Sequence, residues 1–204
     1  MTEQDPTATP ADVDTTETDE TPEIAAAMAA DALVPLDVEV APQPKSAPDD
    51  REQRGPFDVA EVTGVRPYID LGGVKVLPRA DLHLRLEVEE ATKRVVAVGL
   101  EYHGTTLQVQ PFAAPRSSGL WHDIREQIME QLRKQGAKAK PANGPFGPEI
   151  FAEIPVNQDG QQGWRLARFI GVDGPRWFLR GVIAGKGATD AEAAKEVEEL
   201  FRSI

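Results

Sequence analysis

The sequence predicts an α+β fold: a mostly antiparallel sheet of about six or seven strands packed with two helices, Trp121–Gln135 and Ala191–Ile204. Three observations carry that expectation. Strand-like stretches arrive in hairpin-linked runs rather than alternating one for one with helices, which disfavours a parallel nucleotide-binding sheet. Two other stretches carry apolar residues at 3- and 4-residue spacing. Charge is also segregated. Residues 1–54 hold 14 of the 34 acids and three bases (Lys45, Arg51, Arg54), leaving the body 20 acids against 19 bases.

The arm comes first. Residues 1–21 are Thr, Asp, Glu and Pro without hydrophobic periodicity, and such a segment cannot offset its ordering entropy. Thr21-Pro22-Glu23 supplies an N-cap, a first-turn proline and an acid ahead of Ile24 to Ala30, so a short helix is expected over 22–33. It is either nascent helix in a tail or a helix that orders on a partner. Ala41 to Asp50, with Pro42, Pro44 and Pro48, reads as linker. The expected organisation is therefore a largely disordered acidic arm, 1–54, and one α+β domain, 55–204. A body of that length buries roughly 70% of its unfolded surface.

Within the body a short strand is expected between Tyr68 and Leu77. Leu82 to Glu89 alternates strictly, apolar then polar, as a half-buried strand does. Val95–Tyr102 and Thr105–Phe112 form a hairpin about His103-Gly104, which sets Leu100 opposite Leu107, Val98 opposite Val109 and Tyr102 opposite Thr105. Glu101, Thr106, Gln108 and Gln110 then share the other, polar side. An odd-length loop at Ala91-Thr92-Lys93 keeps Leu84, Leu86 and Val88 on the core side.

Trp121, Ile124, Ile128 and Leu132 make one face of a helix, with Ser117 or Ser118 to cap it and Gly136 to end it. Pro141 to Pro148 reads as a loop. Strands resume at Ile150–Val156, Trp164–Gly171 and Trp177–Ala184, the last pair turning at Asp173-Gly174. Thr189-Asp-Ala-Glu192 opens the final helix as a capping box, and Val197, Leu200, Phe201 and Ile204 form its apolar stripe. The expected order is thus a meander followed by a helix, twice over.

Several function classes are excluded or disfavoured. The chain has no cysteine, so disulfides and thiolate sites are impossible. No apolar run approaches the ~20 residues of a membrane helix, and no basic residue precedes Lys45, so no membrane insertion and a cytoplasmic location are expected. His83, His103 and His122 lack ligand spacing, and Ser117-Ser118-Gly119 lacks the nucleophile-elbow pattern. Gly185-Lys186-Gly187 lacks Walker spacing. No catalytic set, metal site or cofactor is expected.

The residues singled out lie mostly in the last hairpin. With Asp173-Gly174 as its turn, Ile170 faces Trp177, and Trp164, Leu166, Leu179 and Ile183 share a core side with one intruder, Arg168. The opposite side pairs Phe169 with Phe178, framed by Arg165, Arg176, Arg180 and Val182. Arginines around aromatics are typical of interaction surfaces. Equally, the second helix could cover both phenylalanines while the arginines snorkel to the rim. A core-facing Arg168 must find a carboxylate or several carbonyls, as a structural pair or as a ligand anchor. Arg116, between a strand end and a helix start, is a further anion-binding candidate.

Gly55-Pro-Phe-Asp58, Phe112 to Trp121, Gly144-Pro-Phe-Gly147 and Arg168 to Gly181 resemble an actinobacterial family catalogued as domain of unknown function 3710. The resemblance spans the body, and it implies a cytoplasmic actinobacterial protein without an assigned activity. The strand–helix order is also similar to the Mog1/PsbP-type sandwich, whose members are mostly binding or assembly factors.

The resulting expectation is a non-enzymatic binding or adaptor module. It would present Arg165, Arg168, Phe169, Arg176, Phe178, Arg180 and Arg116 to another protein or an anionic ligand. The alternative is a small-molecule-binding protein or enzyme whose anion is anchored by Arg168 in a sheet–helix pocket. Nucleic acid is disfavoured, because the body has no net positive charge and the arm repels phosphates. The arm should compete for the arginine face.

Overall fold

Strands with apolar residues on both faces need a layer on each side, and the fold supplies one helix per face. The computed structural model describes residues 42–158 and 161–204; residues 1–41 of the arm, with the expected helix at 22–33, lie outside them. In chain order the elements are α1 (Arg51–Arg54), β1 (Ile69–Asp70), β2 (Lys75–Val76), β3 (His83–Val88), β4 (Val95–Tyr102) and β5 (Thr105–Ala113). These are followed by α2 (Trp121–Lys134), β6 (Lys138–Gly144), β7 (Gly147–Gln158), β8 (Gln161–Asp173), β9 (Trp177–Gly185) and α3 (Ala191–Arg202). β1 and β2 form a small hairpin. The other seven strands make one antiparallel sheet in the order β3-β4-β5-β9-β8-β7-β6. The fold is α+β as expected, a three-strand and a four-strand meander joined through β5 and β9.

The β4–β5 register is the one read from the apolar rows, with Leu100 opposite Leu107 and Val98 opposite Val109. Those rows meet Ile170, Val172, Leu179 and Ile183 under α3, whose Val197, Leu200 and Phe201 close that core. On the other face α2 brings Trp121, Ile128 and Leu132 onto Ile150, Ala152, Ile154, Ala167, Phe169 and Phe178.

Five expectations change. Pro141 to Pro148 is not a loop: Lys138–Gly144 is an edge strand, and the chain turns through Pro145-Phe146 with Gly144 paired to Gly147. A proline is tolerated there because an edge strand has one side free of ladder bonds. The turn buries Phe146 edge-on against Phe201, with ring centroids 4.9 Å apart.

The β8–β9 register is displaced by two residues on each strand: Ile170 faces Gly181 instead of Trp177, and Asp173 faces Phe178. Pro175 widens the turn, and Asp173 is committed elsewhere. Its carboxylate accepts from the amides of Ser46 (2.9 Å), Leu120 (2.8 Å) and Trp121 (3.4 Å). An even shift leaves every side chain on its predicted face.

The same carboxylate replaces the expected serine cap of α2, which has Leu120 at its N-cap; the Ser118 hydroxyl instead accepts from the Gln43 amide (3.1 Å). Gly136, at φ 76°, does end α2. The Gly136 and Ala137 amides reach back to Arg133 and Leu132, the paired pattern of a glycine C-cap. For α3 the capping side chain is Asp190, one residue past the expected Thr189.

The expected linker over 42–50 is packed. Gly119 donates to the Gln43 carbonyl, the Asp173 amide to the Ser46 carbonyl, and Lys45 Nζ to the carbonyls of Gly174, Pro115 and Pro175. Asp50 accepts from the buried Arg202 (3.0 Å), and Arg51 makes a double bond pattern to Glu61 at 2.6 and 2.8 Å.

Candidate functional site

The hairpin does not present its aromatic pair to solvent. Phe169 is 3% exposed and Phe178 is fully buried. The covering helix is α2, the earlier of the two long helices. Trp121 and Phe112 both stack against Phe178, each with ring centroids 5.8 Å apart. Phe169 lies opposite Val182 and Ile150, not opposite Phe178. Trp164, expected in the core, is largely exposed and carries Lys138 Nζ over its ring at 4.4 Å.

Arg168 lies on the α3 face, buried, and Nη2 donates to Glu149 Oε2 (3.0 Å) and Glu198 Oε1 (2.7 Å). Burial acts to lower its pKa, but the two carboxylates more than offset that and hold it above the ordinary value. The arginine therefore ties β7, β8 and α3 together, and its charge is already neutralised twice over. Arg165 is on the α2 face of β8, half-buried, with Nη1 unpartnered.

Arg180 is different. It is 4% exposed, and among the described residues no carboxylate pairs with it. Nη2 donates to the neutral Gln110 Oε1, the guanidinium lies 5.8 Å from the Phe112 ring, and Nε has no partner. Burial pushes its pKa down to about 10. On the neighbouring strand Gln108 donates to Glu87 (2.5 Å) and leaves Oε1 unmatched. Such unpaired buried polar groups are costly unless a partner completes them.

The ladder sets three of the predicted arginines in one strip. Arg180 pairs with Gln110, Phe178 with Phe112, and the Ala114 amide with the Arg176 carbonyl. Arg116 follows two residues later. Arg176 lies about 13 Å along the strand from Arg180, and Arg116 and Arg176 are exposed with no side-chain partner among the described residues. The strip runs beside the start of α2, where residues 43–46 enter the fold. Arg165, about 20 Å along β8 from the level of Arg180, and Arg168, on the opposite face, do not join it. Gln108 and Gln110 could have been found in the sequence as a glutamine pair on a strand's polar row; their burial could not.

A second feature was not foreseen. A cavity of about 520 Å³ lies between residues 56–75 and the α3 face of the sheet, with Phe57, Val62, Val74, Pro111, Trp177 and Leu179 in its wall. The Trp177 indole donates to Asp58 (3.0 Å), while the Arg66 and Tyr68 side chains at this cavity have no partner among the described residues. The residues that form it read only as a short strand region in sequence.

His103 pairs with Glu196 (2.7 Å), and His122 sits beside Asp123 and Glu126. No metal-holding group of His, Asp and Glu occurs among the described residues, and no described helix is long and apolar enough to cross a membrane.

No curated protein matches the chain. A crystal structure of a protein from Bacteroides thetaiotaomicron is similar at 14% identity and a TM-score of 0.38, covering 63% of this chain and 43% of that one; this chain thus spans less than half of its length. The stretch that builds both the sheet and the arginine strip, residues 55–204, matches the family described as protein of unknown function (DUF3710), and the chain belongs to that family.

Proposed function

We propose that the domain is a cytoplasmic, non-enzymatic binding module that takes an acidic polypeptide along the strip of Arg116, Arg176, Arg180 and Gln110. One observation carries the reading: among the described residues no carboxylate pairs with the buried Arg180, whereas the equally buried Arg168 has two. An acid that reaches this guanidinium, 4% exposed in the unbound chain, meets a donor already bonded to Gln110, and a charge-assisted bond there is worth about 1.5–3 kcal/mol. Phe178 and Phe169 serve as the packed support beneath the strip rather than as contacts.

The test is anisotropy of labelled polyglutamate titrated with the full chain and with a chain lacking residues 1–41. Arg180→Gln should weaken binding about tenfold or more, and deleting residues 1–41, which carry 11 acids and no Lys or Arg, should tighten it at low salt. Equal affinity for the wild type and Arg180→Gln refutes the reading.

The cavity favours a second reading, a small apolar ligand with an acidic group met by Arg66 and Tyr68. It replaces the Arg168 anchor, whose donors face Glu149 and Glu198. A thermal-shift screen with fatty acids and aromatic carboxylates tests it. A ligand at 100 times its Kd adds about 2.7 kcal/mol, and no stabilisation by any of them removes the reading.

A further inference from the structure

The two edges of the seven-stranded sheet are built differently. β6 carries Lys138, Lys140 and Pro141, residues that block pairing with another strand. β3 carries neither lysine nor proline. Its apolar row Leu84, Leu86 and Val88 is exposed at 37%, 45% and 45%, although it continues the α3-face core through Leu100 and Val98 of β4. No described backbone group pairs with its outer side.

We propose that this edge is the contact between two copies of the chain, β3 pairing antiparallel with β3 of the second copy about a two-fold axis. The sequence His83-Leu-Arg-Leu-Glu-Val-Glu89 is complementary to itself in one register. With Leu86 opposite its own copy, Leu84 meets Val88, Arg85 meets Glu87 and His83 meets Glu89, each twice by symmetry.

Other registers fail. Shifting by one residue sets apolar side chains opposite the polar face. Centring on Arg85 sets two arginines together, and centring on Glu87 sets two glutamates together. The accepted register places six apolar side chains side by side on the α3 faces, so that the two cores meet. On the opposite face Arg85 is exposed and has no partner among the described residues, while Glu87 retains the bond from Gln108.

Sedimentation of the full chain from micromolar to millimolar concentration tests the proposal. The wild type should shift from monomer toward twice its mass. Arg85→Glu sets Glu against Glu87 and should weaken association about tenfold or more; Glu87→Arg should do the same. An equimolar mixture of the two variants should associate again, because each Glu now faces an Arg. Leu86→Lys, on the exposed row and away from the Gln108 bond, should also be monomeric. Circular dichroism of each variant should match the wild type, as should the melting curves of Arg85→Glu and Leu86→Lys; Glu87→Arg, which also takes the acceptor from the buried Gln108, should melt lower while keeping the native spectrum. A wild type that stays monomeric throughout, an Arg85→Glu variant that dimerises like the wild type, or a mixture that fails to associate overturns the proposal.

Discussion

Replacing Arg168 by methionine separates a structural ion pair from a ligand anchor. The guanidinium and Glu149 are 5% and 3% exposed, and the described partners of Arg168 are Glu149 and the half-buried Glu198. Glu198 can swing toward water when the arginine goes. Glu149 cannot, and an uncompensated carboxylate at that depth costs about 3–5 kcal/mol. Against a total stability of about 5–15 kcal/mol, that loss should lower Tm by roughly 6–20 °C, at 2–4 °C per kcal/mol for a body of this size. Urea unfolding read by tryptophan fluorescence measures the change directly, with an unchanged slope confirming that the denatured state is unaffected. The double variant Glu149→Leu/Arg168→Met should recover all but about 1–2 kcal/mol, because an apolar pair of similar volume removes both desolvation costs. A loss below about 1 kcal/mol for Arg168→Met, or a double variant less stable than the single one, would refute the pairing argument. An arginine held open for a ligand would lose nothing in the unliganded chain.

Asp173→Ala should cost about 3 kcal/mol or more in urea unfolding, since the Leu120 and Trp121 amides are left buried and the Ser46 amide loses its acceptor; limited proteolysis should then cut within residues 42–50, and resistance there would contradict the docking of that segment. Glu61 has its pKa lowered, chiefly by the bond from Arg51, so its contribution is fully present above the ordinary value of 4.5 and is lost as pH falls through the lower folded value. The stability gap between wild type and Glu61→Gln should therefore shrink on acidification across that window, and a gap independent of pH would exclude the linkage.

Local periodicity carried much of the architecture. The alternation in β3 to β5 set their faces and pairing, and the 3- and 4-residue spacing of Trp121 to Leu132 and Val197 to Ile204 located both helices. Each of those signals is a property of a few neighbouring residues, so no distant partner is needed to read it. Side-chain face in the last hairpin was legible for the same reason, while its register was not. Parity depends on the strand alone, but the turn opens with Pro175 inside it, after Gly174, and with the Asp173 carboxylate held by amides from the start of α2 and from Ser46. Phe146 was hidden in a Pro/Gly run, since its burial is supplied by Phe201, more than fifty residues away.

The candidate site shows the same division. The sequence supplies four arginines and two phenylalanines around one turn, a composition that signals an interaction surface but leaves open which of them touch solvent. Tertiary packing settles exposure and pairing: α2 covers Phe169 and Phe178, Glu149 and Glu198 neutralise Arg168, and Arg180 is buried beside Gln110 with no acid paired to it among the described residues. A charge's cost and availability depend on which groups surround it, and those groups come from β5, β7 and α3, brought together only when the sheet forms. The arginines were countable from the chain; which of them is buried without a counter-charge among the described residues is a property of the fold.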